Sequence, residues 1–335
     1  MLLSIIILSY NTEKLTLQTL ESVIADVNAS LPLKNHTEII VVDNASRDGS
    51  VPAIKKIRKA YPKLVELIEN DQNVGFPKGN NIGINASTGK YILLLNSDTI
   101  IKPGALETLV RAFERTPLNE TTAYVSSHHG ELDRLGIVSA QLFNEDGSVQ
   151  QQGGSLPTFG ALMCHMLLLD DLPIVGGWLP STQHTGIRGR TAEAARKKHP
   201  ADPEQTLVQE GWVGGAAMML KREVVHEIGL LDEGIFMYGE DVEYCLRARA
   251  HHWDVAVCPA AHIIHLGSAS SSSGNAIKGE FKGYLHIWRK HFSAWQFPLV
   301  RLVLQLGALL RWFIFGTMVR NPVKARVYAQ LWREL

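Results

Sequence analysis

Three polar residues, Asn96, Ser97 and Asp98, close an apolar run from Tyr91 to Leu95. A short continuous apolar run suits a strand buried on both faces of a parallel sheet. Ligands of open α/β sheets bind outside the carboxyl ends of such strands. Asp98 is therefore expected at the edge where chemistry occurs. A carboxylate there suits a hard divalent cation, Mn²⁺ or Mg²⁺, which in turn holds phosphate oxygens. The same three residues equally suit a turn. Two further strand ends carry polar clusters: Ser9-Tyr10-Asn11 after Leu2 to Leu8, and Asp43 to Ser50 after Glu38 to Val42. Three loaded strand ends in succession point to a nucleotide site. Further along, Glu240-Asp241 opens a predicted helix. The positive helix end keeps a carboxylate ionised, as a general base requires, though aspartate there is also a common cap. His265 follows Ile263-Ile264 and reads either as a ligand or as a packed histidine.

The elements that must position these groups alternate. Strands are expected at Leu2 to Leu8, Glu38 to Val42, Val65 to Glu69 and Tyr91 to Leu95. Helices are expected over Glu13 to Asn28, Val51 to Tyr61, Asn80 to Ala86 and Pro103 to Phe113. This alternation argues an α/β, Rossmann-like, mostly parallel sheet flanked by helices. Beyond it, Ile137 to Phe143, the apolar end of Gly211 to Leu220, and Asp254 to Cys258 read as strands, Arg222 to Ile228 and Asp241 to His251 as helices. Gln150 to Gln209 has no regular period and carries a basic patch, Arg188, Arg190, Arg196, Lys197 and Lys198. It reads as a variable loop on the acceptor side.

The 335 residues allow one large domain or two small ones, and 45% hydrophobic content allows a sizeable core. A formal net charge of zero gives no general drive toward nucleic acid. Cys164, Cys245 and Cys258 lack paired spacing and read as buried thiols in a reducing compartment, not as disulfides or a zinc site. The apolar start has no basic flank and no cleavage motif, so it is not read as a secretion signal.

Five motifs occur in order: Ser9-Tyr10-Asn11, Val42-Asp43-Asn44 through Ser50, Asn73-x-Gly75-Phe76, Leu95-Asn96-Ser97-Asp98, and Gly239-Glu240-Asp241-x-Glu243 with His265 downstream. Together they resemble the family 2 inverting glycosyltransferases of GT-A fold, over roughly residues 1–270, and most nearly the bacterial rhamnosyltransferase-like enzymes of cell-surface polysaccharide assembly. Asn96 and Ser97 depart from the family's usual acidic and proline residues. The resemblance implies a metal-dependent transfer of a sugar from a dTDP- or UDP-sugar to a glycan or lipid-linked acceptor. It implies Asp241 as the catalytic base, Glu240 on the acceptor, and Asp98 with His265 on the cation; Trp212 reads either as an acceptor platform that stacks on a sugar ring or as a core residue. It places the nucleotide-sugar at Ser9, Tyr10, Asn11, Asp43, Asn73, Gly75, Asn96, Ser97 and Asp98. Glu243 is expected at the surface or behind the site. The division that follows is a domain of residues 1–270, split at 125 into nucleotide-sugar and acceptor halves, and a helical segment of residues 275–335. A nucleotidyltransferase would need a glycine-rich basic loop after the first strand, where Ser9-Tyr10-Asn11-Thr12 stands. A non-catalytic sugar-nucleotide-binding protein of the same fold is the other rival.

The C-terminal segment changes character. Phe297 to Val319 is apolar and nominally long enough to span a bilayer. Arg301 and Arg311 inside it make spanning costly, so it reads as an interfacial helix with Arg301, Gln305 and Arg311 as its polar positions. Trp288, Trp295, Trp312 and Phe313 suit a headgroup boundary. The chain is thus expected in the cytoplasm, peripheral on the inner face of the membrane. The alternative is that this helix packs on the catalytic domain or on a second copy as a homodimer.

Overall fold

A computed structural model describes residues 1–114, 134–172, 176–183, 207–267 and 273–335. The basic patch at Arg188 to Lys198 lies outside the described residues. The first half alternates as expected: β1 Leu3–Ser9, α1 Glu13–Ala29, β2 Thr37–Asp43, α2 Ser50–Ala60, β3 Val65–Glu69, α3 Phe76–Ala86 and β4 Tyr91–Asn96. Then come β5 Thr99–Ile101, α4 Ala105–Glu114, β6 Leu135–Phe143, β7 Gly153–Gly154 and α5 Phe159–Met166. The second half holds β8 Val208–Gln209, β9 Trp212–Val213, β10 Ala217–Lys221, α6 Arg222–Ile228, α7 Glu240–Ala250 and β11 Asp254–His265. Three longer helices close the chain: α8 Ser273–His291, α9 Phe297–Phe313 and α10 Pro322–Glu334.

The main sheet runs β3-β2-β1-β4-β10-β6-β11-β5, with β8 also on β11. β1 to β4 are mutually parallel; β10 enters antiparallel between β4 and β6, and β11 runs parallel to β6. The ends of β1, β2 and β4, the start of β10 and the end of β11 therefore share one edge. Successive strand residues point to opposite faces. Leu3, Ile5 and Ile7 of β1 meet α1, α2 and α4 on one side, and Ile6 meets the other. That second core also takes in Phe281, Tyr284, Ile287 and Trp288 of α8, Val300, Val303 and Leu304 of α9, and Tyr328 of α10.

Three elements differ from the sequence reading. α3 begins at Phe76 rather than Asn80, because Pro77 sits in its first turn, where its missing N–H costs nothing. β11 does not stop at Cys258. A register shift between Cys258 and His262 absorbs Pro259, and the strand continues to His265 against β5, which carries Thr99 to Ile101. Arg311 is not on an outward polar face. It is 9% exposed and donates to the carbonyl oxygens of Met166 and His165 at the end of α5. All three cysteines are buried and unbridged.

Candidate functional site

The shared edge carries a cavity of about 90 Å³, with Tyr10, Asn44, Asn73, Gly75, Asn96, Ser97 and Asp98 in its wall. Its floor comes from the loop after β2. Asn44 is the hub there: its Nδ2 donates to Asn73 Oδ1 and to Gly75 O, and Asn70 Nδ2 donates to its Oδ1. Asp43 is 1% exposed; its Oδ2 accepts from Ser46 N at 2.8 Å, and its Oδ1 has no hydrogen-bond partner. Asn11 lies outside the cavity wall, with φ 54°, and its side chain accepts from Arg47 N, pinning the same loop. Ser9 is fully buried with its hydroxyl against Thr16, so its role is to hold the strand end, not to face the cavity. Gly75 sits at φ +89°, and a Cβ there would lie 2.8 Å from Phe236 O. Phe76 N donates to that same carbonyl, so glycine is needed for the close approach.

Asp98 is 2% exposed and neither carboxylate oxygen accepts a hydrogen bond. A buried carboxylate without donors is costly unless a cation meets it. His265 Nε2 stands 3.3 Å from Asp98 Oδ1. Gln150 sets that imidazole. Its Nε2 faces Asn144 Oδ1 and His265 O, so its Oε1 accepts from His265 Nδ1 at 2.6 Å. The other ring nitrogen, Nε2, is turned toward Asp98, with Asn96 Nδ2 3.4 Å away. This is the outer-shell arrangement that readies a histidine for a metal. Among the described residues no group of three or more His, Cys, Asp or Glu side chains is placed to hold a metal ion. Asp98 and His265 alone could offer an ion two protein ligands, not a cage.

A second cavity of about 270 Å³ lies beyond the segment Phe236 to Val242. Phe236 and Met237 face the smaller cavity; Tyr238 to Val242 face the larger. Tyr238, at φ 74°, and Gly239, at φ 103°, turn the chain into α7. Asp241 Oδ2 accepts from Gly215 N at 3.0 Å and Oδ1 from Val242 N at 2.8 Å. Glu240 is 6% exposed and its Oε2 has no partner. Burial raises both carboxyls, and the Asp241 charge adds to the effect on Glu240, which is pushed up to about 8. The amide donors favour ionised Asp241, so the proton of the pair resides on Glu240. Trp212 lines this cavity but is held in place, its Nε1 donating to Thr182 O at 2.7 Å.

Sequence reasoning missed Asn44, Gln150, Phe236 and Met237. Asn44 was within reach, since it stands next to Asp43 in the strand-end loop. Glu243 proves fully buried and bound to Arg247, Lys290 and His291, not exposed.

Residues 4–152 match the family model described as Glycosyl transferase family 2. The chain is 24% identical over 310 residues to the N-acetylglucosaminyl-diphospho-decaprenol L-rhamnosyltransferase of Mycobacterium tuberculosis, covering 88% of this chain and 87% of that one. Its fold is similar to that of the mannosyltransferase from Pyrobaculum calidifontis solved with GDP-Man and Mn²⁺. That match has TM-score 0.52 and 13% identity over 94% of this chain and 75% of that one. It is also similar to GalNAc-T7 solved with UDP, GalNAc and Mn²⁺, with TM-score 0.56 and 16% identity over 86% of this chain and 48% of that one.

Proposed function

We propose, from the premise that this chain belongs to glycosyl transferase family 2 and is a glycosyltransferase of GT-A fold, that it moves a hexose, rhamnose being favoured, from a nucleoside diphosphate sugar to an acceptor hydroxyl with inversion. The donor nucleotide would lie along the shared sheet edge, with the smaller cavity taking part of it; Asp43, behind the cavity wall, has an unpaired Oδ1 that would accept from a pyrimidine N3–H. Asp98 and His265 would hold the divalent cation, and Asn96 borders them. That cation supplies charge stabilisation for the departing diphosphate. Asp241 takes the proton of the acceptor hydroxyl while its oxygen displaces the nucleoside diphosphate from the anomeric carbon. Glu240, protonated, donates a hydrogen bond to an acceptor oxygen.

The observation that carries this reading is the position of Asp241. It is fixed by two backbone amides on the segment that divides the two cavities. In the relative from Mycobacterium tuberculosis the acceptor is lipid-linked by name, and a lipid-linked acceptor is proposed here. Support comes from α9. Its inner face is buried, while Leu299, Leu302, Leu306, Leu309 and Phe313 form an exposed apolar stripe. Arg320, Lys324 and Arg326 follow it. The run Ala294–Met318 is long and apolar enough by composition to cross a membrane. With one face in the protein core, it is proposed to lie on an anionic surface instead.

The test is Asp241→Asn. Transfer should fall ~10²- to 10⁴-fold, with nucleoside diphosphate affinity unchanged in calorimetry. Transfer at the wild-type rate would reduce Asp241 to a helix cap and end the assignment.

A further inference from the structure

The larger cavity has a wall that the reaction above leaves unused. From α8 it is lined by Ala276, Ile277, Glu280, Tyr284 and Ile287, residues that share one helical face. α8 is pressed onto the segment that carries Glu240. A Cβ at Gly279 would strike the Tyr238 ring, and one at Gly283 would lie 2.5 Å from Tyr238 O. Glu280 is steered from behind: its Oε1 lies 3.6 Å from Nε2 of buried His165, whose Nδ1 lies 3.5 Å from Asp170 Oδ2. Burial alone would lower the His165 pKa, but the two carboxylates outweigh it and raise it, which favours the charged ring beside Glu280.

We propose that Glu280 is an acceptor-binding residue, and that this cavity takes one uncharged sugar ring of the acceptor. Its hydroxyls meet Glu280 and Glu240, and its apolar face lies on Trp212 and Ile277. Three observations carry the proposal, which rests on the glycosyltransferase reading. The volume, about 270 Å³, falls just below the roughly 300–1,000 Å³ that encloses a drug-sized ligand, so one ring fits and an oligosaccharide does not. The described lining holds three carboxyl groups and no lysine or arginine, so a phosphate or uronate in the cavity meets like charge and no counter-charge. The Glu240 Oε2, buried and without a partner, lines the same space. An acceptor hydroxyl satisfies it.

The experiment titrates the full chain with methyl β-D-glucoside, methyl α-L-rhamnoside and methyl N-acetyl-β-D-glucosaminide, against methyl β-D-glucuronide. Calorimetry reads glycoside binding, the Trp212 share of any fluorescence change is taken as the difference from Trp212→Phe among the seven tryptophans, and UDP and dTDP binding with Mn²⁺ is measured in parallel. At least one uncharged glycoside should bind, and the glucuronide at least tenfold more weakly. Glu280→Ala should weaken glycoside binding about ten- to hundredfold, as loss of hydrogen bonds to a charged group does. Glu280→Gln should fall between, and nucleotide affinity should not move in either. Should Glu280→Ala fail to fold, Glu280→Gln carries the comparison. The proposal is overturned if no uncharged glycoside binds, if the glucuronide binds as tightly, or if neither variant weakens glycoside binding. A protein that binds nucleotide but no glycoside loses only this proposal. One that binds glycosides but no nucleoside diphosphate loses the transferase reading instead.

Discussion

Replacing Glu243 with glutamine removes one negative charge from a closed ionic cluster. Its carboxylate is fully buried on α7. Arg247 grips it with Nε at 2.8 and 3.0 Å and Nη2 at 2.9 Å, while Lys290 and His291 of α8 each reach Oε1 at 2.8 Å. Removing one partner of a buried pair costs about 3–5 kcal/mol, because the other charge is left uncompensated. The low end applies here. Lys290 is 40% exposed and keeps Asp232, so its share is small, and Arg247 still donates to Leu230 O. A loss of about 3 kcal/mol at roughly 2 °C per kcal/mol lowers the melting temperature by about 6 °C. The pH dependence follows from the sign of the shift. Burial alone would raise the Glu243 carboxyl, but the hydrogen bonds from Arg247 and Lys290 outweigh it and hold it below its ordinary value. Its stabilisation is therefore present above the unfolded pKa and lost as pH falls through the folded one. Thermal melts of wild type and Glu243→Gln from pH 7 to about pH 2 should show the gap at neutrality and its closure only below the ordinary carboxylate range. A gap under 1 kcal/mol at pH 7 would refute the cluster as a clamp between α7 and α8.

Asp98→Ala and His265→Ala should each weaken nucleoside diphosphate binding in the presence of Mn²⁺ at least tenfold; binding that ignores both the metal and the substitutions would contradict the shared ion site. The transfer rate should rise with pH above the ordinary carboxylate range as Asp241 ionises, and fall again near pH 8 as Glu240 loses its proton. In Glu240→Gln the descending limb should vanish; its persistence would assign that limb to another group. The triple variant Leu302→Glu, Leu306→Glu, Leu309→Glu should leave the protein folded and abolish co-sedimentation with phosphatidylglycerol vesicles. A wild-type chain that stays in the supernatant with those vesicles would remove the membrane surface from the scheme.

The sequence made the parallel half of the sheet legible because each strand there is a local apolar run that ends in polar residues. Val65–Glu69 and Arg222–Ile228 coincide with the expected bounds. The strand ends carrying Asp43 and Asp98 were legible for the same reason, whereas His265 entered only through the family resemblance. What stayed hidden depends on distant partners. β5 is a strand only through its pairing with the far half of β11, which itself also lies along β6, and Pro259 disguised that half. Gln150 matters because β11 delivers His265 beside it, which no local pattern announces. Glu280 left a fainter signal, one carboxylate in a helical stripe of Ile277, Tyr284 and Ile287, near the close-contact pair Gly279 and Gly283. Arg311 misled because an arginine in an apolar helix is ordinarily assigned to the wet side, whereas here it caps the carbonyls of α5.

The insertion of β10 between β4 and β6 also sets a timetable for synthesis. Leu95 of β4 pairs with Ala217 of β10, so the strand that is central in the finished sheet is an edge while some 120 further residues are made. At about 5–20 residues per second that interval lasts roughly 6–25 s. During it, the ladder groups of Tyr91–Asn96 that face β10 are open to any passing strand, in the most apolar stretch of the site. The nascent chain is therefore most exposed to mispairing between those two moments. Chaperone demand should fall once Ala217–Lys221 has left the ribosome.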